Sequence, residues 1–383
     1  MTSLSTSPTS RNGEAAPPRL PALDGIRAIA VLAVVALHAG MLPWGWIGVD
    51  LFFTLSGFLI TGILLDAKDA RGSGWATYAK PFYMRRLLRI VPLAWAFLAI
   101  LFLVAPALGI VRPVPFTEQI WYWAFLSNAW LGFRSATAWM AGHFWSLAVE
   151  EQFYLVWPWL VLALPRPWLA RTLKTFLVVA VVARIVVVFM HLPPQIGHTY
   201  ENFTVTRMDG LVAGSLVALC ARAEGGLARY GRRATGWLIA CGALFLLLQI
   251  YAPTKQLGYI FRYAALAGFT ASAVLLILAS PTGLVSRLLG GRWLTWIGAR
   301  SYGIYVIHLP IVLWLAARGL PAIVVLAVAL GITLALAAVS WTVLESPLLA
   351  MKSRWPMMRP DARTPGLAFG ANVEGPYKSL DAA

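Results

Sequence analysis

The stretch LPALDGIRAIAVLAVVALHAG, residues 20–40, is an apolar run long enough to cross a bilayer, and it carries one arginine and one histidine. An α-helix rises about 1.5 Å and turns about 100° per residue, so Arg27 and His38 are predicted to lie within about 20° of one face and about 16 Å apart. Because ionisable residues inside membrane spans are rare and costly, the pair is a candidate functional site. In the alternative interpretation, Arg27 anchors the helix at the cytoplasmic surface and His38 packs at the opposite interface.

The composition indicates a polytopic membrane protein. Of the 383 residues, 60% are hydrophobic and 12% are charged, and the mean hydropathy is +0.73. Soluble globular domains carry about twice that charged fraction. Ten apolar runs approach the ~20 residues that cross a bilayer, so the predicted fold is an all-α bundle of about ten transmembrane helices. The runs cover residues 24–42, 47–66, 91–110, 144–164, 173–191, 206–221, 234–252, 258–280, 296–317 and 321–345.

The placement of basic residues decides the predicted topology. Cytoplasmic loops carry the excess of Lys and Arg, and the basic clusters fall on one side only if the short aromatic segment 118–132 does not cross. We therefore predict that both termini are cytoplasmic. The predicted parts are a disordered tail over 1–19, a membrane domain over 20–350 and a polar tail over 351–383. The basic clusters lie within 68–89, 166–174, 222–233, 287–292 and 352–359.

The net charge of +16 follows from this topology, because basic loops face anionic lipid on the cytoplasmic leaflet. It requires no nucleic-acid partner, although a basic surface would also receive a phosphorylated substrate. The five histidines lack close ligand spacing, and the spacing of Cys220 and Cys241 indicates neither a metal site nor a disulfide framework. We expect no metal and no tightly bound cofactor.

Most ionisable groups within the predicted spans converge on the outer half of the membrane. Embedded charges persist where they pair or line a wet cavity, so these groups are predicted to form one site. Simpler roles exist for several of them: Arg207 and Asp209 pairing with other embedded charges, Asp50 capping its helix, and His308 packing in the core. The residues placed at this depth are His38, Asp50, His143, Ser146, Glu150, Glu151, Arg184, Arg207, Asp209 and His308.

A second basic group lies at the cytoplasmic end of the third span, in FYMRRLLRIVP, residues 82–92. Arg85 and Arg89 are four residues apart and are predicted to share a helical face with each other, next to Arg86. Arginine forks match phosphate oxygens, so this cluster is a candidate phosphate cradle. The alternative is that the three arginines only anchor the topology.

The chain resembles the acyltransferase-3 family of integral membrane acyltransferases, because seven motifs occur in the family order across residues 20–350. They are the Arg27 to His38 spacing, GVDLFFTLSGFLIT (48–61), FYMRRLLRIVPL (82–93), HFWSLAVEEQFYLVWP (143–158), TRMDGLVAG (206–214), SYGIYVIHLPI (301–311) and LESP (344–347). The resemblance implies a bacterial inner-membrane enzyme that moves an acyl group, often acetyl, from cytoplasmic acyl-CoA to a hydroxyl, usually on a carbohydrate. Larger family members carry a fused extracytoplasmic esterase-like domain, which we do not expect here.

With that resemblance, His38 is predicted to act as general base on the acceptor hydroxyl, because a histidine pKa lies near neutrality. Glu150 would orient its imidazole, as the acid does in a hydrolase triad. A covalent acyl-histidine is the less economical alternative. Expected partners are acyl-CoA as co-substrate, a carbohydrate, glycolipid or glycoside acceptor, and membrane lipid. Phosphates would bind Arg27, Arg85, Arg86 and Arg89; the acceptor and its oxyanion would meet Asp50, His143, Ser146, Glu151, Arg207, Asp209 and His308.

Two other classes of function compete with the enzyme. A secondary transporter of a sugar or anionic lipid would use the buried charges as a relay, but it predicts polar groups near the midplane from two related halves. A non-catalytic scaffold of the cell envelope would leave the alignment of Arg27 with His38 unexplained. The gathering of polar groups toward one face favours the acyltransferase.

Overall fold

The computed structural model describes residues 20–70, 78–130, 136–190, 202–251 and 256–357. Every regular element in these ranges is a helix, which confirms the all-α prediction. The predicted tail over 1–19, the chain beyond 357 and the basic residues Arg71 and Arg359 lie outside the described residues.

Fifteen helices are numbered here in chain order. They are α1 Pro21–His38, α2 Ile47–Asp69, α3 Lys80–Ala107, α4 Phe116–Trp123, α5 Ala136–Trp139, α6 Phe144–Ala163, α7 Arg166–Phe189, α8 Thr204–Arg207, α9 Asp209–Ala221, α10 Gly226–Tyr251, α11 Gln256–Ala279, α12 Leu284–Leu289, α13 Arg292–Ala299, α14 Ser301–Ala316 and α15 Ala322–Ser340. A π-helical turn, Ile100–Val104, interrupts α3, and another, Trp341–Glu345, prolongs α15.

Among the described residues, seven helices are long and apolar enough to span a membrane. They are α1, α2, α3, α7, α10, α11 and α15. The pair α13 and α14, bent by 72°, makes an eighth if it is one span. The predicted runs 144–164 and 206–221 coincide with α6 and with α8 plus α9. The count of ten spans and the orientation of the termini stay predictions.

Of the aromatic segment 118–132, the structure describes residues up to 130, and these contain only a short helix. Helix α4 has eight residues, or about 12 Å of length, which is far below the ~30 Å hydrocarbon core. A turn follows it over residues 124–129. Helix α4 alone is thus too short to span the core, and the prediction that the segment does not cross stays a prediction.

Contacts between side chains fix the relative direction of the helices. Ser56 on α2 meets Glu150 on α6, and one and a half to two turns further on each helix Thr61 meets Trp157, so α2 and α6 run parallel. Helices α1 and α14 also run parallel, because Arg27 contacts Ser301 near their starts and His38 contacts His308 further along. The helix ends that carry the histidines therefore lie on one side of the bundle. The helix ends that carry most of these arginines lie on the other side.

Glycines allow the central helices to touch backbone to backbone. A Cβ on Gly57 of α2 would lie 1.9 Å from the carbonyl oxygen of Leu211 on α9, and one on Gly214 would lie 1.9 Å from that of Thr54. A Cβ on Gly298 of α13 would lie 1.9 Å from the carbonyl of Asp24 on α1. Only glycine permits this approach, so the polar side chains around these crossings are held on rigid backbone.

Candidate active site

Three histidines form a cluster of neighbouring rings. His38 ends α1, His143 directly precedes α6, and His308 lies within α14, two residues before Pro310. The ring of His308 lies 5.0 Å from that of His38 and 5.1 Å from that of His143. His308 and His143 are buried, whereas His38 is only half-buried. His38 is therefore the member that a substrate can reach.

The hydrogen bonds in this cluster define the tautomers of two imidazoles. Nδ1 of His308 lies 2.7 Å from the carbonyl oxygen of Tyr305, and a carbonyl only accepts, so this nitrogen carries the proton. In the neutral ring Nε2 is then an acceptor, and it lies 3.0 Å from Nδ1 of His38. His38 must donate from Nδ1, which leaves the lone pair of its Nε2 available.

His143 has the opposite tautomer and cannot donate to an oxyanion in its neutral form. Its Nε2 lies 3.1 Å from the carbonyl oxygen of Val306 and therefore donates. The remaining Nδ1 is a buried acceptor that has no hydrogen-bond partner among the described residues. This corrects the predicted oxyanion role: His143 offers a lone pair, not a proton.

The hydroxyls of Ser146 and Tyr305, next to the histidines, are hydrogen-bonded to each other. Ser146 Oγ and Tyr305 Oη are 2.5 Å apart, and both lie within 3.1 Å of the carbonyl oxygen of His143. Two hydroxyl protons therefore serve three contacts, so neither is spare for an oxyanion in this arrangement. Ser146 and Tyr305 instead connect the histidine cluster to the cavity below it.

That cavity is a channel of about 80 Å³ lined by α1, α2, α3, α6 and α14. Three guanidinium groups face one carboxylate in its wall, which favours an anionic ligand. The polar residues that line it are Arg27, Ser56, Arg86, Arg89, Ser146, Glu150, Tyr154, Ser301, Tyr302 and Tyr305.

The structure places three of the four arginines of the predicted phosphate cradle in the channel. Arg27 donates to Ser301 at 3.2 Å, and Arg86 and Arg89, three residues apart on α3, share the channel with it. Arg85 does not line the channel, and its Nη1 donates to the carbonyl of Trp355 at 3.4 Å. Arg85 and Arg89 are only about 40° apart around α3, but the side chain of Arg85 turns to Trp355, and Arg86 and Arg89 are the two that line the cavity.

Glu150 lies among the arginines, not beside His38. Its Oε1 accepts a hydrogen bond from Ser56 at 2.8 Å, and the charges of Arg27 and Arg86 act on it. The hydrogen bond to His38 that we predicted for Glu150 is made by His308. Glu151 points elsewhere: its Oε1 is buried and has no hydrogen-bond partner among the described residues.

Two buried ion pairs account for the other predicted charges. Arg207 donates to Asp50 at 3.0 Å and lies between the rings of Trp145 and Tyr263, at 4.9 and 4.0 Å. Asp50 is therefore the partner of an arginine, and the alternative we considered for Arg207, pairing with an embedded charge, is what the structure has.

Asp209 is held even more completely. Arg184 binds it through two hydrogen bonds of 2.6 and 2.9 Å, and both side chains are fully buried. Arg184 also donates to the carbonyls of Ile260 and Thr206. This ion pair connects α7, α9 and α11. Both carboxylate oxygens of Asp209 already accept hydrogen bonds from Arg184, and the side chain is buried, so it is not placed to bind a sugar.

Sequence reasoning did not place Ser56, Tyr154, Ser301, Tyr302 or Tyr305 in the site. Single hydroxyl residues in an apolar helix carry no charge and no pattern that separates them from packing residues. The available signal was their place inside motifs that also hold a charge or a histidine, as Tyr305 does in SYGIYVIHLP. Among the described residues, no three His, Cys, Asp or Glu side chains are arranged to hold a metal ion.

Comparison with known proteins agrees with the family resemblance. A family model described as an acyltransferase domain matches residues 20–344. The chain is similar to the peptidoglycan O-acetyltransferase OatA of Listeria monocytogenes, with 29% identity over 318 residues that cover 76% of this chain and 49% of that protein. It is also similar to the O-acetyltransferase OatA of Staphylococcus aureus, with 27% identity over 356 residues, 87% of this chain and 57% of that protein.

The chain thus spans about half the length of the curated relatives it matches. No solved structure gives a significant match.

Proposed function

The chain belongs to the acyltransferase-3 family, and on that premise we propose that it moves an acetyl group from acetyl-CoA to a hydroxyl of a cell-wall carbohydrate outside the bacterial cytoplasmic membrane. The relatives are named for O-acetylation, one of them of peptidoglycan, which makes a peptidoglycan sugar the first acceptor to test. Two observations carry the proposal: the basic channel, whose lining residues Ser146 and Tyr305 contact the carbonyl oxygen of His143, and the ring of His38 in the same histidine cluster, which has a free lone pair.

The donor site is the channel. Its three arginines, Arg27, Arg86 and Arg89, offer planar forks for the phosphates of the coenzyme. In this proposal the extended pantetheine arm lies in the channel, the nucleotide stays at its mouth, and the thioester points toward His38. The ~16 Å between Arg27 and His38 along α1 separates the anchor from the reacting carbonyl.

The base is Nε2 of His38. It removes the proton from the acceptor hydroxyl as the oxygen attacks the thioester carbonyl, and the C–O bond forms. When the tetrahedral intermediate collapses, the C–S bond breaks, and the imidazolium returns the proton to the departing sulfur. The ester and the free thiol are the only products, and the enzyme regains its starting protonation.

His308 takes the orienting role in this mechanism. By accepting from Nδ1 of His38 it fixes the ring and the tautomer that presents Nε2 to the acceptor. Glu150 acts at the donor end instead, where it offsets part of the charge of the arginines and positions Ser56.

The test uses purified protein in liposomes with acetyl-CoA labelled in the acetyl group and a soluble muropeptide acceptor. We expect labelled ester on the acceptor, its complete loss in His38→Ala, and a Michaelis constant for acetyl-CoA raised about tenfold or more in Arg86→Gln. Arg85→Gln is the matched control, since it removes the adjacent charge outside the channel, and it should behave as wild type.

Two outcomes would contradict the proposal. Acetyl transfer by His38→Ala at the wild-type rate would show that His38 is not the base. Equal effects of Arg85→Gln and Arg86→Gln would show that general surface charge, and not the channel, attracts the donor.

A further inference from the structure

A second and larger cavity lies away from the histidine cluster. It is a crevice of about 650 Å³ between α7, α9, α10 and α11. None of its lining residues belongs to the candidate active site. Apolar side chains form nearly all of its surface, and Lys174 is the only charged residue that lines it. The crevice therefore combines a long apolar wall with one cation.

The crevice exists because one wall lacks the side chains to fill it. Helix α11 presents Ala264, Ala267 and Ala271 toward branched residues of α7 such as Val178 and Val181. Helices α10 and α11 are themselves in close contact, since a Cβ on Gly268 would lie 2.6 Å from the sulfur of Cys241. The free volume is thus left on the side of this pair that faces α7 and α9.

The length of the crevice matches one leaflet of the membrane. Its lining on α11 extends from Ala264 to Leu275, which is about 16 Å of helix. The hydrocarbon core of a bilayer is ~30 Å thick, so each leaflet contributes about 15 Å. One lipid from one leaflet would fill the crevice from its headgroup to the end of its acyl chain.

The cation lies at one end of the crevice. Lys174 is exposed and makes no hydrogen bond or ion pair with the described residues, and its charge acts on Cys220 near the end of α9. Tyr230 begins the wall of α10, with the guanidinium of Arg229 5.8 Å from its ring. No Asp or Glu lines the crevice to neutralise Lys174.

We propose that the crevice binds an anionic glycerophospholipid, with an acyl chain along α11 and the phosphate on Lys174. Basic positions between transmembrane helices on the cytoplasmic side select anionic headgroups, and Lys acts there as a point charge. A zwitterionic lipid would fill the same apolar wall but would bring its own cation beside Lys174. The site is separate from acyl transfer and does not depend on that function.

Native mass spectrometry of the full-length protein tests this site directly. The protein is purified in detergent and mixed with phosphatidylglycerol or with phosphatidylcholine of the same acyl chains. We expect retained phosphatidylglycerol adducts with the wild type and binding about tenfold weaker in Lys174→Glu. Arg171→Glu makes the same charge change one turn earlier on α7, outside the crevice, and should bind as wild type.

A second pair of variants tests the apolar wall. Ala271→Leu fills the crevice and should remove the adduct, whereas Ala240→Leu, on the exposed side of α10, should retain it. Thermal unfolding of each variant shows whether it is folded. If Ala271→Leu does not fold, the comparison of Lys174→Glu with Arg171→Glu decides the question.

Equal retention of the two lipids, or unchanged binding by Lys174→Glu, would overturn the proposal. So would displacement of phosphatidylglycerol by a polyprenyl phosphate at equal concentration, because the occupant would then be a lipid carrier.

Discussion

The carbonyl oxygen of Tyr305 bears on the tautomers of two imidazoles, His308 directly and His38 through it. Because it can only accept, it sets the proton on Nδ1 of His308, and His308 in turn sets the proton on Nδ1 of His38. The carbonyls of Ile304 and Val34 also hydrogen-bond the imidazoles of His308 and His38. A carboxylate partner would fix the same tautomer and would also stabilise the imidazolium.

Replacement of His308 tests that control. His308→Ala should lower kcat for acetyl transfer by about 10²-fold with little change in the Michaelis constant for the donor, because the base loses its tautomer but the arginines stay in place. His308→Gln keeps an acceptor oxygen near Nδ1 of His38 and should recover part of the loss. Steady-state ester formation measures both, and an Ala variant with unchanged kcat would disprove the positioning role.

Asp209 offers a second test at the residue scale. Asp209→Asn leaves the buried Arg184 without its counter-charge and should lower the free energy of unfolding by about 3–5 kcal/mol. Replacing both partners with apolar residues, Arg184→Met with Asp209→Leu, should restore most of it. Thermal unfolding in detergent measures the effect. A raised Michaelis constant for the acceptor with unchanged stability would instead make Asp209 a sugar ligand.

The close packing of individual helices depends on where their glycines lie. Gly57→Ala should push α2 away from α9, because the new methyl group would meet the Leu211 carbonyl at 1.9 Å, and overpacking of this kind costs about 1–3 kcal/mol. Gly331→Ala on α15 is the control: apart from its chain neighbours and the backbone of its own helix, no atom lies within 4 Å of its Cβ position, and alanine favours the helix by up to about 1 kcal/mol. Unfolding midpoints should therefore move in opposite directions, and equal shifts would contradict the close crossing.

Helical periodicity explains which parts of the site the sequence predicts. It correctly puts Arg27 and His38 on one side of α1, because both angle and rise follow from position within a single helix. It cannot say which helices are neighbours. The pairing of Glu150 with His38 came instead from the family resemblance, and α6 turns that carboxylate to Ser56 on α2. The prediction that Arg85 belongs to the phosphate cradle has a related limit. Which face of α3 meets the cavity depends on the helices packed against α3 and not on the spacing of its arginines.

For the whole molecule, hydropathy predicts the bundle, and the distribution of basic residues predicts its orientation. The first follows from the high cost of placing unsatisfied backbone in lipid, which leaves helices as the structure for such apolar runs. The boundaries are less predictable, as the bend of 72° between α13 and α14 shows, because an apolar run does not reveal where it turns.

The orientation can be measured with single cysteines in a background without Cys220 and Cys241. Leu320→Cys, between α14 and α15, should react with an impermeant maleimide added to intact spheroplasts. Thr282→Cys, between α11 and α12, should react only after the membrane is opened. The reverse pattern would invert the predicted topology and place the basic channel on the outer side.

The hydrogen-bonded chain from His38 through His308 ends on a peptide carbonyl, and this ending has a bioenergetic consequence. A carbonyl has no proton to pass on, so a proton taken at Nε2 of His38 must leave by the same atom. Each turnover then exchanges a neutral acyl group for a neutral hydrogen, and no charge crosses the electrical potential of the membrane. Acetylation by energised vesicles should therefore continue at an unchanged rate when a protonophore collapses the gradient, whereas a carrier driven by a proton relay would stop.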